Sequence, residues 1–220
     1  MEILHHTHAN EQDYSIKIYL YSDFEKVEAP GISPEVLAMF AKKNTQKPSD
    51  FIWVETLHDV CFFVKCSEGS DYESFDTIRK NGAKIYSSCK IQELNEVLIT
   101  NVSASDSNAF AFVEGFVLSS YSFEVYKSEK ETKKVSKIVC FGNFSSQINT
   151  LSVISQAVFS ARSLVNEPVC TLSTQVFASE IEQMFHNTAA KVFVYDKAWI
   201  EQQNMGGLLA VNKGSIDPPK

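Results

Sequence analysis

Short runs of β-branched and aromatic residues recur along this chain, and most are separated by stretches whose apolar residues fall three and four apart. The first period suits a buried strand and the second a helix with one apolar face. Ser15–Tyr21 (SIKIYLY) alternates apolar and polar side chains, which predicts a strand with one buried face. Phe51–Val54, Val60–Val64, Glu96–Asn101, Ser136–Phe141, Lys191–Tyr195 and Leu208–Val211 read as further strands. Between them, Ser33 caps a helix with Pro34 in its first turn and Val36, Leu37 and Phe40 on one side. Ser70 or Asp71 caps another, carrying Phe75 and Ile78 and closing at Asn81-Gly82. Asp106–Leu118 places Phe110, Val113 and Val117 at helical spacing. A long helix from about Ser145 to Val165 lines up Ile148, Leu151, Ile154, Val158, Ala161 and Val165. Ser173 caps a helix bearing Phe177, Ile181, Met184 and Phe185, and Trp199–Gln203 forms a short one. Strands alternating with helices predict an α/β fold, a mixed or parallel sheet flanked by helices.

The connecting segments follow from turn chemistry. Residues 1–14 are polar and rich in His and Asn, a loose start, and Pro30-Gly31 marks a turn. Lys127–Ser136 reads as a surface loop, its lysines interrupted by Glu129 and Glu131. Gly142-Asn143 ends a strand, and Glu167-Pro168 breaks the long helix, with Leu164 and Val165 expected in the core. Met205-Gly206-Gly207 is expected to turn tightly before the last strand.

Composition narrows the class. With 44% hydrophobic and 12% aromatic residues, the 220-residue chain has the material for a packed core. No apolar run approaches the roughly 20 residues needed to cross a bilayer, and the start lacks a basic segment followed by an apolar stretch. Five cysteines without a CxxC pair read as reduced thiols, and a cytoplasmic location follows. The formal charge of −7, with Arg79 and Arg162 as the only arginines, argues against nucleic acid as a partner.

No constellation of side chains supports chemistry. His5, His6 and His8 form the only histidine cluster, without a carboxylate framework beside them. His58-Asp59 reads as a surface turn, and His186 stands near a helix end, where a cation is favoured. Cys61 and Cys66 are five apart and face opposite sides of a strand. Glu180 and Glu182 point apart on a helix, and Lys213-Gly214-Ser215 falls short of a phosphate loop.

Three blocks nevertheless carry a resemblance. Glu114-Gly115, with Leu118, Tyr121, Phe123 and Tyr126-Lys127-Ser128, is similar to the pattern EG..L..Y.F..YKS. Ala161-Arg162, then Leu164-Val165-Asn166-Glu167-Pro168, matches AR.LVNEP, and Met205–Val211 with Gly214-Ser215 and Pro218-Pro219 matches MGGLLAV..GS..PP. In this order and spacing the blocks resemble the M17 leucyl aminopeptidases over roughly residues 110–220. Ser173-Thr174 departs from the family's Thr-Pro, keeping the capping hydroxyl and losing the proline.

The resemblance implies a macro-domain-like amino-terminal domain at 1–144, a linker helix at 145–167 and the opening of a peptidase domain at 168–220. It implies a metallopeptidase that removes amino-terminal residues from peptides with two divalent cations, Zn²⁺ or Mn²⁺, and assembles as a homohexamer. The family's metal ligands follow the last block, beginning with a Gly-Lys-Gly strand and a Phe-Asp-Ser/Thr-Gly-Gly turn, and neither occurs here. No catalytic, cofactor-binding or metal-ligating residue therefore carries over, and the chain is expected to be inactive alone, with the remainder of the catalytic domain as its partner. The same residues leave open a stand-alone macro-like module for nucleotides or DNA, and an intact enzyme continuing past Lys220. Uncovered strands near the end predict a chain that aggregates or seeks a partner.

Overall fold

Six strands make one sheet in the order β1-β6-β5-β2-β4-β3. They are β1 (Glu2–His6), β2 (Ile16–Tyr21), β3 (Phe51–Glu55), β4 (Val60–Lys65), β5 (Glu96–Asn101) and β6 (Lys137–Gly142). The structure is a computed structural model that describes residues 1–6, 14–23, 32–46, 49–66, 69, 71–91, 96–130, 135–144 and 147–220, with the backbone alone at 6, 90 and 91. All neighbours run parallel except β3, which pairs antiparallel with β4 at one edge. The chain divides into two compact units, Met1–Phe159 and Ser160–Lys220.

In the first unit the sheet is covered on both faces. Ile16, Ile18 and Leu20 of β2, Phe62 and Val64 of β4, Ile99 and Cys140 share one core with two helices, α2 (Tyr72–Ile91) and α3 (Asp106–Leu118). The opposite face sets Tyr19, Tyr21, Cys61, Phe63, Ile52 and Val54 against Val36 and Phe40 of α1 (Pro34–Gln46). The Phe40 and Phe63 rings stack with centroids 4.0 Å apart. All six β2 residues are buried, not one alternate set as the sequence pattern predicts. The reason is topological: β2 is a central strand between β4 and β5, and helices cover both faces of the sheet there, α2 and α3 on one and α1 on the other. Even Lys17 is buried there, its ammonium donating to Asp59 at 2.9 Å.

Residues 2–6, expected as part of a loose start, form an edge strand in parallel register with β6, Glu2 opposite Lys137. Glu2 N–H donates to the Ser136 carbonyl at 2.7 Å, and Ile3 packs on the core. Polar, histidine-rich composition disguised it because an edge strand needs few apolar contacts. Across the same end of the sheet Glu2, Lys137 and Glu96 stand in register, with Lys137 Nζ 3.2 Å from Glu96.

α2 also departs from its expected end. Its start is as foreseen, Asp71 Oδ1 accepting the Ser74 N–H at 2.7 Å, which holds the Asp71 carboxyl below its usual range. The helix then runs straight through Asn81-Gly82 to Ile91. Gly82 is not a cap but a contact point: a methyl there would strike the Phe112 carbonyl oxygen and sit 2.8 Å from the Phe116 nitrogen of α3. Gly115 of α3 answers it, leaving no room for a Cβ over the Arg79 backbone. Two helices can approach this closely only where one side presents no side chain.

Ser33 caps α1 as expected, its hydroxyl accepting the Val36 N–H at 3.3 Å, and Ser105 caps α3 by accepting the Asn108 N–H. Gly142 ends β6 in the left-handed region at φ 97°. The expected Pro30-Gly31 turn and the Ser70 cap lie outside the described residues. Of the expected 127–136 loop, 127–130 and 135–136 are free of helix and strand.

The second unit is built from short helices. α4 (Ile148–Asn166) enters it and stops before Glu167-Pro168, and α5 (Thr174–Phe185), α6 (Lys197–Gln202) and α7 (Gly206–Asn212) follow. Ser173 and Asp196 cap α5 and α6, accepting from Val176 and Trp199. Two expected strands are absent. Lys191–Tyr195 pairs with no described strand, and Leu208–Val211 lies inside α7, with Gly206-Gly207 as its first turn. A four-residue apolar run does not distinguish the two periods, and with no strand beside it a helix satisfies its backbone locally. The α4 stripe is likewise buried only at its start: Ile148 and Leu151 are covered, Ile154 and Ala161 are exposed, and Leu164 is half-buried. Val165, expected in the core, is 84% exposed.

Candidate functional site

In parallel α/β sheets the carboxyl ends of the strands are where ligands are generally held. Here β2, β5 and β6 end together, and the turns beyond them are bound to one another. The Asn101 amide donates to the carbonyls of Ala104, at 3.1 Å, and Asn143, while its oxygen accepts the Ala104 N–H at 3.0 Å. Ser22 Oγ donates to the Ser103 carbonyl at 2.8 Å, and the Ser22 N–H donates back to Ser103 Oγ at 3.2 Å. Val102 and Ser103 N–H groups both reach the Leu20 carbonyl. Gly142 passes so close to Asn101 that a Cβ would lie 2.6 Å from its carbonyl oxygen. His5 Nε2 stands 3.3 Å from the Gly142 carbonyl, with its ring edge-on to Phe144. These groups are consumed in tying strand ends together. The sequence signal for this tie is an Asn at a strand end before a serine-rich stretch, Asn101 followed by Ser103 and Ser105.

Titration here disfavours reactivity. Burial pushes the Tyr21 hydroxyl up to about 12, with the nearby Cys66 adding to it, and pushes the Cys66, Cys89 and Cys140 thiols up to about 12. A thiol held neutral in an apolar core is a poor nucleophile and a poor metal ligand. Cys61 and Cys66 fall in the cores on opposite faces of the sheet, as their spacing predicts.

The remaining sequence candidates are scattered. Asp59 gives its carboxylate to Lys17, so His58-Asp59 forms no acid–base dyad, and the His58 N–H instead meets Thr56 Oγ1 at 3.4 Å. His6 lies in β1, and His8 is outside the described residues. His186 occupies the C-cap of α5, its ring nitrogen 3.1 Å from Asn187 Oδ1. Glu180 and Glu182 are exposed on α5, and Lys213-Gly214-Ser215 forms the turn after α7, its Ser215 N–H on the Asn212 carbonyl. Glu114 is paired with Arg79 Nε across the α2–α3 contact, which makes the Glu-Gly of its block a packing device. Among the described residues no three His, Cys, Asp or Glu side chains gather as a metal would require, so the residues present do not fit a metal centre.

The second unit contains a groove of about 520 Å³ lined largely by apolar side chains, among them Phe177, Ile181, Phe193, Tyr195, Trp199 and Leu208. Tyr195 and Trp199 stack at 3.8 Å along its wall, and the Thr174 hydroxyl donates to the Pro218 carbonyl at 2.9 Å. Most of these residues remain exposed, Phe193 by 69%, and Ile200 is the one well-buried apolar side chain of α5 to α7. The groove offers mainly hydrophobic surface, with Thr174, Tyr195 and Lys220 as its polar side chains and no carboxylate, histidine or cysteine among its lining residues.

Comparison with known proteins gives this arrangement a context. Residues 67–130 match the profile of the cytosol aminopeptidase family, N-terminal domain, and residues 159–220 that family's catalytic domain. A probable cytosol aminopeptidase of Sulfurihydrogenibium sp. (strain YO3AOP1) is 30% identical over 156 residues, covering 66% of this chain and 31% of the relative. One from Brucella suis biovar 1 is 36% identical over 115 residues, covering 48% and 23%. The chain thus spans about a third or less of the curated relatives it matches. In fold it is similar to a tomato leucine aminopeptidase variant, with a TM-score of 0.72 at 16% identity over 99% of this chain and 49% of that one. The bottromycin maturation enzyme BotP, in a complex with Mn, gives 0.67 at 20% identity, covering 93% and 43%. No described helix is long and apolar enough to cross a membrane.

Proposed function

The chain belongs to the M17 cytosol aminopeptidase family, and we propose that its 220 residues form the scaffold portion of an enzyme that trims amino-terminal residues from peptides. In this reading residues 1–144 are the amino-terminal domain, 145–167 a linker helix and 168–220 the opening of the peptidase domain. The observation that carries it is the exposed apolar surface of the second unit, where Phe177, Phe193, Tyr195 and Leu208 stand open to solvent in a segment that matches the catalytic profile. Such residues belong to the inside of a larger domain.

Catalysis in this reading is supplied by catalytic-domain sequence not among these residues, which would hold the paired divalent cations, Zn²⁺ or Mn²⁺. When bound, such metals activate a water and polarise the scissile carbonyl. This chain's residues provide the sheet and capped helices on which that domain is assembled, in the cytoplasm and within a homohexamer. Nothing in the structure favours the alternative of a nucleotide- or DNA-binding module.

The test is hydrolysis of a leucine amide substrate in Mn²⁺ or Zn²⁺ by the purified 220-residue chain, beside a chain extended through a full-length relative's catalytic domain. The expected outcome is activity from the extended chain alone. Metal-dependent release of leucine by the 220-residue chain overturns the reading.

A further inference from the structure

We draw no further inference here: the strongest candidate, the apolar groove of the second unit between α5, the extended segment 191–196 and α6–α7, belongs to the unclosed peptidase portion already described, and nothing in the structure shows what covers it.

Discussion

α3 and α5 invite comparison because both are capped helices of nearly equal length. α3 buries eight residues, from Asn108 to Val117, although its apolar residues surround it on most sides. α5 has the cleaner stripe, Phe177, Ile181, Met184 and Phe185, and buries none. An amphipathic pattern records a demand for a partner and does not guarantee that one is present. In the first unit the demand is met by a six-stranded sheet. In the second no strand among the described residues pairs with Lys191–Tyr195, and the stripe stays wet.

The widest separation between the two units is expected on cutting the chain. Residues 1–159 alone should unfold in one cooperative denaturant transition, followed by circular dichroism, and bind little hydrophobic dye. Residues 160–220 alone should show neither a cooperative transition nor low dye binding. Equal behaviour of the two pieces would break the comparison.

Next in size is an alkaline effect confined to the first unit. The Cys66, Cys89 and Cys140 thiols titrate near 12 in the folded chain against an ordinary value of 9.0. These are acids whose folded pKa is raised, so above pH 9 the unfolded chain loses protons that the folded one keeps. Stability should therefore be insensitive to these thiols below about pH 9 and fall by about 1.4 kcal/mol per pH unit for each between there and pH 12. Replacing the three by alanine or valine should make that limb of a pH–stability curve shallower, leaving above about pH 10 the part due to the buried Tyr21 hydroxyl. At pH 8 a thiol reagent should modify exposed Cys170 quickly and the four buried cysteines only on unfolding.

A pair of glycine substitutions sharpens the contrast further. Gly115→Val forces a side chain onto the Arg79 backbone and should cost about 1–3 kcal/mol or more. Gly207→Ala meets nothing within 4 Å, and inside α7 it should be neutral or add up to about 1 kcal/mol of helix stability. Thermal melts of both variants decide it, and a destabilising Gly207→Ala would mean that α7 is packed more tightly than it stands here.

The smallest effect concerns the free edge of β3. Lys43 Nζ donates to the outward Trp53 carbonyl at 2.9 Å and lies 5.6 Å from that residue's ring centroid. Lys43→Ala should cost no more than about 0.5–1 kcal/mol, and it removes a charge of the kind that discourages edge pairing. Light scattering of residues 1–159 carrying the change should show slightly more self-association than the parent, and none would mean that this lysine guards nothing.

Much of the first unit was legible because its strands are apolar and its helices are capped by residues whose side chains accept the expected amide. Ser33 and Asp71 do so in the first unit, and Ser173 does the same in the second. The failures have physical causes. Asn81-Gly82 looks like a helix stop, yet Gly82 is there for a neighbouring backbone that no local pattern reveals. Glu2–His6 looks too polar for a strand, yet its partner lies far along the chain. Leu208–Val211 looks like a buried strand, yet four residues fix neither period, and here they sit in α7. The candidate site was legible only as resemblance, since the blocks that carry it, Glu114-Gly115 and Met205–Val211, are packing and helix-forming segments without reactive groups.

The pairing of β1 with β6 has a consequence for how the protein is made. Glu2 is synthesised before its register partner Lys137, which follows about 135 residues later. At about 5–20 residues per second, β1 waits roughly seven to twenty-seven seconds for β6, its one partner among the described strands. β1 is thus woven in long after it is made, and a histidine-bearing, weakly apolar strand is suited to that wait because it has little with which to stick elsewhere.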